Sequence, residues 1–294
     1  MLVDSFLNYL RFEKAYSEKT VVCYGIDINQ FGKFIDSVEK GLTFCRVDAD
    51  LVRQWAFSLM ASKKCTSTSI NRKLSSLRAF YRYLLIKGEI EVDPLRKVVG
   101  PKNKKSLPSF LRESEMNKLL DETDFGEGFA GKRDRMILEM FYATGIRLSE
   151  LTGLNDKDVD FSSSLIKVTG KGNKQRLVPF GDELKETMLD YLNVRNGELP
   201  IRSEAFFVKE DGERLYNGKV YNLVRQYLSS VVSLKKRSPH VLRHTFATAM
   251  LNNEAEINVV KELLGHSSLS ATEVYTHTTF EELKKIYKQA HPRA

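Results

Sequence analysis

Apolar residues recur at helical spacing through residues 1–95, and the pattern resolves into four helices. "DSFLNYLRFEK" forms the first. Ser17 is placed to cap a second helix whose apolar stripe includes Val22, Ile26, Phe34 and Ile35. Asp48 is placed to cap a third, with Leu51, Trp55 and Leu59 at four-residue spacing. Ser67 precedes a fourth helix, where Ile70, Leu74, Leu77, Tyr81 and Leu84 make the buried face and Gly88 stops it. Asp93-Pro94 then disfavours further helix.

The next stretch, "GPKNKKSLPSF", holds two prolines, a glycine and three lysines with no apolar period, which makes it the best boundary in the chain. The expected organisation is a helical domain over 1–95, a basic linker over 96–109 and a second domain over 110–294. Such a linker suits a run along phosphates as well as a solvated hinge. Past it the pattern changes. "GKRDRMILEMFYATG" predicts a helix with Met136, Ile137, Met140 and Phe141 on one face, ended by Gly145. "SLIKVTGKGNKQRLVPF" alternates around a Gly-rich centre and predicts a β-hairpin. Helices resume in "DELKETMLDYLNVR" and "YNLVRQYLSSVV". The fold class is therefore mainly α with a small antiparallel β-sheet.

Composition narrows the partner. The 294 residues carry a formal net charge of +8, with Lys and Arg spread through structured segments and not gathered in a tail, which favours nucleic acid. With 42% hydrophobic and 29% charged residues, the chain can bury real cores and is no disordered polycation. Cys23, Cys45 and Cys65 are odd in number and lie in no CxxC pattern, so they read as reduced thiols. "MLVDSFLNYLRFEK" lacks the basic start and apolar run of a signal peptide, and no stretch reaches membrane-spanning length; the expected compartment is the cytoplasm, with no membrane partner.

The chemistry concentrates in the second half. Arg147 lies in "ATGIRLSEL", Lys171 in "TGKGNKQRLVP", His240 and Arg243 in "SPHVLRHTFATAMLNN", and His266 and Tyr275 in "LLGHSSLSATEVYTH". Each has an ordinary explanation when taken alone. Arg147 could pair on the surface with Glu150, Lys171 could be a solvated turn lysine, His266 a helix C-cap, and Tyr275 half-buried core. Together they suit one task. A phenol, with a pKa near ~10, is a weak nucleophile, and its attack on a phosphodiester needs cationic and hydrogen-bonding groups around the phosphate. His240 and Arg243 share one face of a helix near its start, where backbone N–H groups favour phosphate; His244 is expected to pack or cap. His240 and His244 also have the spacing of two metal ligands, but no acidic pair accompanies them, so no metal and no cofactor is expected.

These residues and motifs resemble the tyrosine recombinases, and within them the bacterial Xer site-specific recombinases. The resemblance runs over essentially the whole chain, down to the closing "HPRA", and is strongest from Thr144 to His277. It implies a SAM-like, core-binding helical domain followed by an α+β catalytic domain. It implies that Arg147, Lys171, His240, Arg243 and His266 activate the phosphate and that Tyr275 is the nucleophile. Lys171 would be the general acid for the 5′-hydroxyl leaving group, with Lys174 and Arg176 as nearby rivals. His240 would accept the tyrosine proton or donate to the phosphate. The implied activity is site-specific recombination through a 3′-phosphotyrosyl intermediate, resolving chromosome or plasmid dimers at segregation. The implied partners are double-stranded DNA, the same or paralogous protomers forming a tetramer on two sites, and a septum-associated DNA translocase. The rivals are a mobile-element integrase, a topoisomerase and a non-enzymatic architectural DNA-binding protein. In the tail, Thr279 could cap a helix with Phe280, Leu283, Ile286 and Tyr287 on one stripe. A helix of about ten residues is marginal alone, and the resemblance implies that it docks on a neighbouring protomer.

Overall fold

The computed structural model describes residues 2–62, 65–103, 109–232, 236–265 and 277–294, with the backbone alone at Lys171 and at 277–280. The chain divides into two compact units, residues 1–106 and 107–294.

In the first unit, α1 (Leu2–Asn8) runs into a π turn and is followed by α2 (Glu18–Val38), α3 (Ala49–Ala61) and α4 (Ser67–Ile86). The caps follow from side-chain chemistry. Ser17 accepts from the Thr20 amide at 3.4 Å, and Asp48 from that of Leu51 at 2.8 Å. At α4 the cap is Thr66, and Ser67 is already the first helical residue. The stripes expected on α3 and α4 are buried. That on α2 is corrected: Val22 and Ile26 are 50% and 60% exposed, and Val21, Ile28, Phe31 and Ile35 face the core. Asp27 belongs to the same buried side. Asp27 is fully buried and accepts Arg72 Nη1 and Nη2 at 2.6 and 2.9 Å, Lys73 Nζ at 2.9 Å and Ser76 Oγ at 2.8 Å, all from α4. A carboxylate withdrawn from water needs such partners, and α4 supplies them. Beyond Pro94, Leu95 and Val98 join this core, and Asn71 donates to the Pro101 carbonyl at 2.8 Å.

The second unit is built around α6 (Gly128–Thr144), which follows α5 (Glu113–Asp121). The single apolar face expected here becomes burial on all sides: every residue from Met136 to Thr144 is inaccessible. Packing explains the difference, since α5, α8 (Asp182–Glu198), α9 (Asn217–Val231) and α10 (Pro239–Asn252) all lie against α6. After α6 come α7 (Leu148–Gly153) and an antiparallel sheet ordered β1 (Val159–Asp160), β2 (Leu165–Thr169), β3 (Gln175–Pro179). The expected hairpin is β2–β3, registered with Ile166 opposite Val178; β1 adds an edge that the alternation did not announce. Gly172, with φ +74, supplies the left-handed step in its turn.

The chain ends with α11 (Ile257–Leu264) and α12 (His277–Ala290). Two expectations about the tail are corrected. Thr279 lies inside α12 and is not its cap. The helix also docks on its own unit in this single chain: Leu283, Tyr287 and Ala290 are buried in one cluster with Phe246, Met250, Val260 and Leu263. His291 is buried behind them, stacked on Tyr287, and its Nε2 donates to the Tyr142 carbonyl at 3.1 Å. Burial pushes its pKa down to about 4, so the ring is neutral at physiological pH. Arg293 then pairs with Asp121 and, at 2.7 Å, with Glu183. The apolar stripe that could not stand alone is thus covered in cis. Among the described residues no helix is long and apolar enough to cross a membrane, and the three cysteines are free.

Candidate active site

The site begins where α6 stops. Gly145 adopts φ +59, and a Cβ there would lie 2.5 Å from the Phe246 ring, so the turn requires glycine. The chain reverses into α7, whose N-cap is Arg147. Glu150, three residues on, accepts the Arg147 backbone N–H at 2.7 Å and its Nη1 at 2.8 Å. The Arg147 Nη2 donates to the Gly265 carbonyl at 3.0 Å, which ties α7 to the end of α11. About a third of the Arg147 side chain stays exposed.

Arg243 enters from α10. Its Nη1 donates to the Gly145 carbonyl and its Nη2 to that of Leu264, both at 2.6 Å. Burial pushes its pKa down to about 10, and the neighbouring charges of Arg147 and Arg176 add to the effect. It remains a cation at neutral pH. Arg147 and Arg243 thus bind adjacent carbonyls, Gly265 and Leu264, at the end of α11, and Arg243 also holds the Gly145 turn.

A third guanidinium completes the arrangement. Arg176 on β3 donates through Nη1 and Nη2 to the two Glu150 oxygens at 2.8 and 3.0 Å, and through Nε to the Leu263 carbonyl at 2.8 Å. Burial alone would raise the Glu150 pKa, but hydrogen bonds and charge from Arg176, then Arg147, bring it down to about 2. Three guanidiniums therefore face one carboxylate, an excess of two positive charges in a half-buried setting. The arrangement suits a dianionic or developing trigonal-bipyramidal phosphate, for which fixed donors need no reorganisation.

Of the sequence-derived residues, the structure brings Arg147 and Arg243 together directly. His240 is exposed on the otherwise buried first turn of α10, one turn before Arg243. His244, expected to pack or cap, is exposed on the same side as His240; its pKa is lowered by partial burial and then by the charges of His240 and Arg243. Lys171 opens the β2–β3 turn. The preceding Gly170 lies against Glu150, a Cβ there falling 3.2 Å from Oε1, so the turn leaves the sheet beside the arginine cluster. Of its two rivals, Arg176 is committed to Glu150 and Leu263, while Lys174 is exposed. His266 and Tyr275 lie outside the described residues. Among the described residues no cluster of His, Cys, Asp and Glu has the makings of a metal site. Sequence reasoning missed Glu150 as a member of the site and took Arg176 only as a rival to Lys171, not as the partner of Glu150. The first was visible only as a helical partner of Arg147, and the pairing with Arg176, 26 residues away, carries no local signal.

The profile of the Phage integrase family matches residues 109–282, and that of the phage integrase N-terminal SAM-like domain matches residues 3–88. Tyrosine recombinase XerC of Chlorobaculum tepidum is 39% identical, over 99% of this chain and 94% of that protein. Among solved structures, XerH site-specific recombinase bound to difH substrate in a pre-cleavage complex has a TM-score of 0.68 at 20% identity, covering 91% of this chain and 79% of the other. The Tn1549 transposon integrase in complex with circular intermediate DNA has a TM-score of 0.72 at 21% identity, covering 96% and 98%. These last two likenesses speak to the fold alone.

Proposed function

From the premise that this chain belongs to the phage integrase family, as a site-specific tyrosine recombinase, we propose that Tyr275 attacks a backbone phosphate of duplex DNA held by Arg147 and Arg243. The attack forms a 3′-phosphotyrosyl bond and breaks the bond to the 5′-oxygen, which leaves as a hydroxyl protonated by Lys171. His240 takes the phenol proton or donates to the phosphate, and His266 completes the donors. The 5′-hydroxyl of a second duplex then attacks the phosphotyrosine, releasing Tyr275 and restoring the strand. The phosphodiester energy is kept in the covalent link, so the chemistry consumes neither nucleotide nor metal.

The observation that carries this reading is the convergence of Arg147 and Arg243 on one helix-end turn, with positive charge in excess. The helical first unit, residues 1–106, forms the core-binding domain, and recombination engages four protomers, identical or paralogous, on two DNA sites in the cytoplasm. Full-length likeness to proteins named XerC favours resolution of chromosome or plasmid dimers at segregation, with a septum-associated DNA translocase as activator, over a mobile-element integrase. The test uses a nicked site recovered by binding selection from random duplexes. Arg147→Ala and Arg243→Ala should each slow single-turnover cleavage by roughly 10²-fold or more, while affinity changes far less. A parallel fall in cleavage and binding would reduce both arginines to ordinary phosphate contacts.

A further inference from the structure

Each nitrogen of Arg176 makes a hydrogen bond inside the protein, three of its five N–H groups being used on the two Glu150 oxygens and the Leu263 carbonyl, and only 12% of its side chain is exposed. Its charge is matched by the Glu150 carboxylate, whereas the Arg243 donors meet only neutral carbonyls. Arg147 differs, with its side chain a third exposed and its contact to Glu150 through one nitrogen. The two guanidiniums share the Glu150 oxygen Oε1, each at 2.8 Å. The Glu150 side chain is itself fully buried, so its charge must be answered by whatever cation is nearest. Were Arg176 absent, that cation would be Arg147.

We propose that Arg176 is a positioning residue: by satisfying Glu150 it leaves the charge of Arg147 available to the scissile phosphate. Glu150 is needed because it anchors the Arg147 backbone at the start of α7. Its charge is a liability that Arg176 offsets. The inference rests on the reading of Arg147 as a phosphate clamp. Counting Arg147, Arg176 and Arg243 against Glu150, the native cluster carries +3 − 1 = +2. Arg176→Ala lowers this to +1, and the double variant Glu150→Gln/Arg176→Ala restores +2. A brace that only held β3 to α11 through Leu263 would gain nothing from that second change.

The experiment is single-turnover cleavage of the nicked site by the full-length chain, with DNA affinity and thermal unfolding measured on each variant. Arg176→Ala should lose roughly 10²-fold in cleavage rate at saturating DNA with affinity nearly unchanged. Adding Glu150→Gln should recover about tenfold or more of that loss. A double variant as slow as Arg176→Ala, or slower, overturns the proposal, as does native cleavage by Arg176→Ala. If Arg176→Ala fails to fold, Arg176→Lys decides: a retained cation beside Glu150 should keep cleavage within about tenfold of native, and a folded Arg176→Lys protein as slow as Arg147→Ala refutes it. The Arg147→Ala variant, run alongside, separates the two readings. Undiminished cleavage there would bring down the phosphate-clamp assignment itself.

Discussion

Leu283→Ala tests how the tail is covered. Leu283 is 5% exposed and belongs to a cluster with Phe246, Met250, Val260, Leu263 and Tyr287, so truncation removes buried methyl groups from an interior that cannot fully collapse. Replacements of this kind cost ~2–5 kcal/mol. A mid-range loss of roughly 3 kcal/mol, at ~2–4 °C per kcal/mol for a domain of this size, lowers Tm by about 6–12 °C. The assay is thermal unfolding of the monomer without DNA, at several protein concentrations. Leu189→Ala is the control, since Leu189 is 42% exposed and surface changes usually stay within ~0.5 kcal/mol. A Leu283→Ala shift no larger than the control, or one that emerges only as protein concentration rises, would refute docking in cis. The outcome bears on function because α12 begins two residues after Tyr275 and packs on α10, the helix that carries Arg243.

The remaining predictions concern charge. Glu139 is buried, with Oε1 bonded to Thr187 at 3.1 Å and Oε2 without a hydrogen-bond partner among the described residues; burial pushes its pKa up to about 7. Its folded pKa exceeds the ordinary 4.5, so the stability it contributes is present below pH 4.5 and is lost as pH rises through about 7. Glu139→Gln should therefore stabilise at pH 8, by at most roughly 3 kcal/mol, and hardly at all at pH 5; an equal gain at both pH values in denaturant titrations would contradict this. Cleavage should persist in excess EDTA without nucleotide, and its abolition with rescue by magnesium would place the chemistry in a different class. DNA affinity should fall linearly on a log–log plot against salt as basic groups displace counterions, and a flat response would argue against a phosphate-dominated interface.

Much of this was legible because the informative patterns are long and local. The stripes of α3 and α4 repeat over several turns, and the β2–β3 hairpin alternates on both sides of one glycine-bearing turn. The α2 stripe was misplaced for an equally physical reason. Val21 and Val22 belong to two overlapping stripes of similar apolarity, and the buried one shares its side with Asp27, whose partners Arg72 and Lys73 lie about 45 residues downstream. The site shows the same division. Arg147 and Arg243 stand in recognisable local motifs, whereas the Glu150–Arg176 pair exists only once β3 is laid beside α7. The tail is the remaining case. An amphipathic stripe announces that something must cover it, but not whether the cover is its own domain.

The central claim is that Tyr275 is the nucleophile, and mapping the covalent adduct tests it most directly. The protein is incubated with the nicked site, denatured and digested, and the DNA-linked peptide is sequenced by mass spectrometry. The expected result is a single phosphodiester adduct on Tyr275, with Tyr275→Phe binding the site but trapping nothing. An adduct on Tyr221, Tyr287 or any serine, or trapping by Tyr275→Phe, would contradict the account.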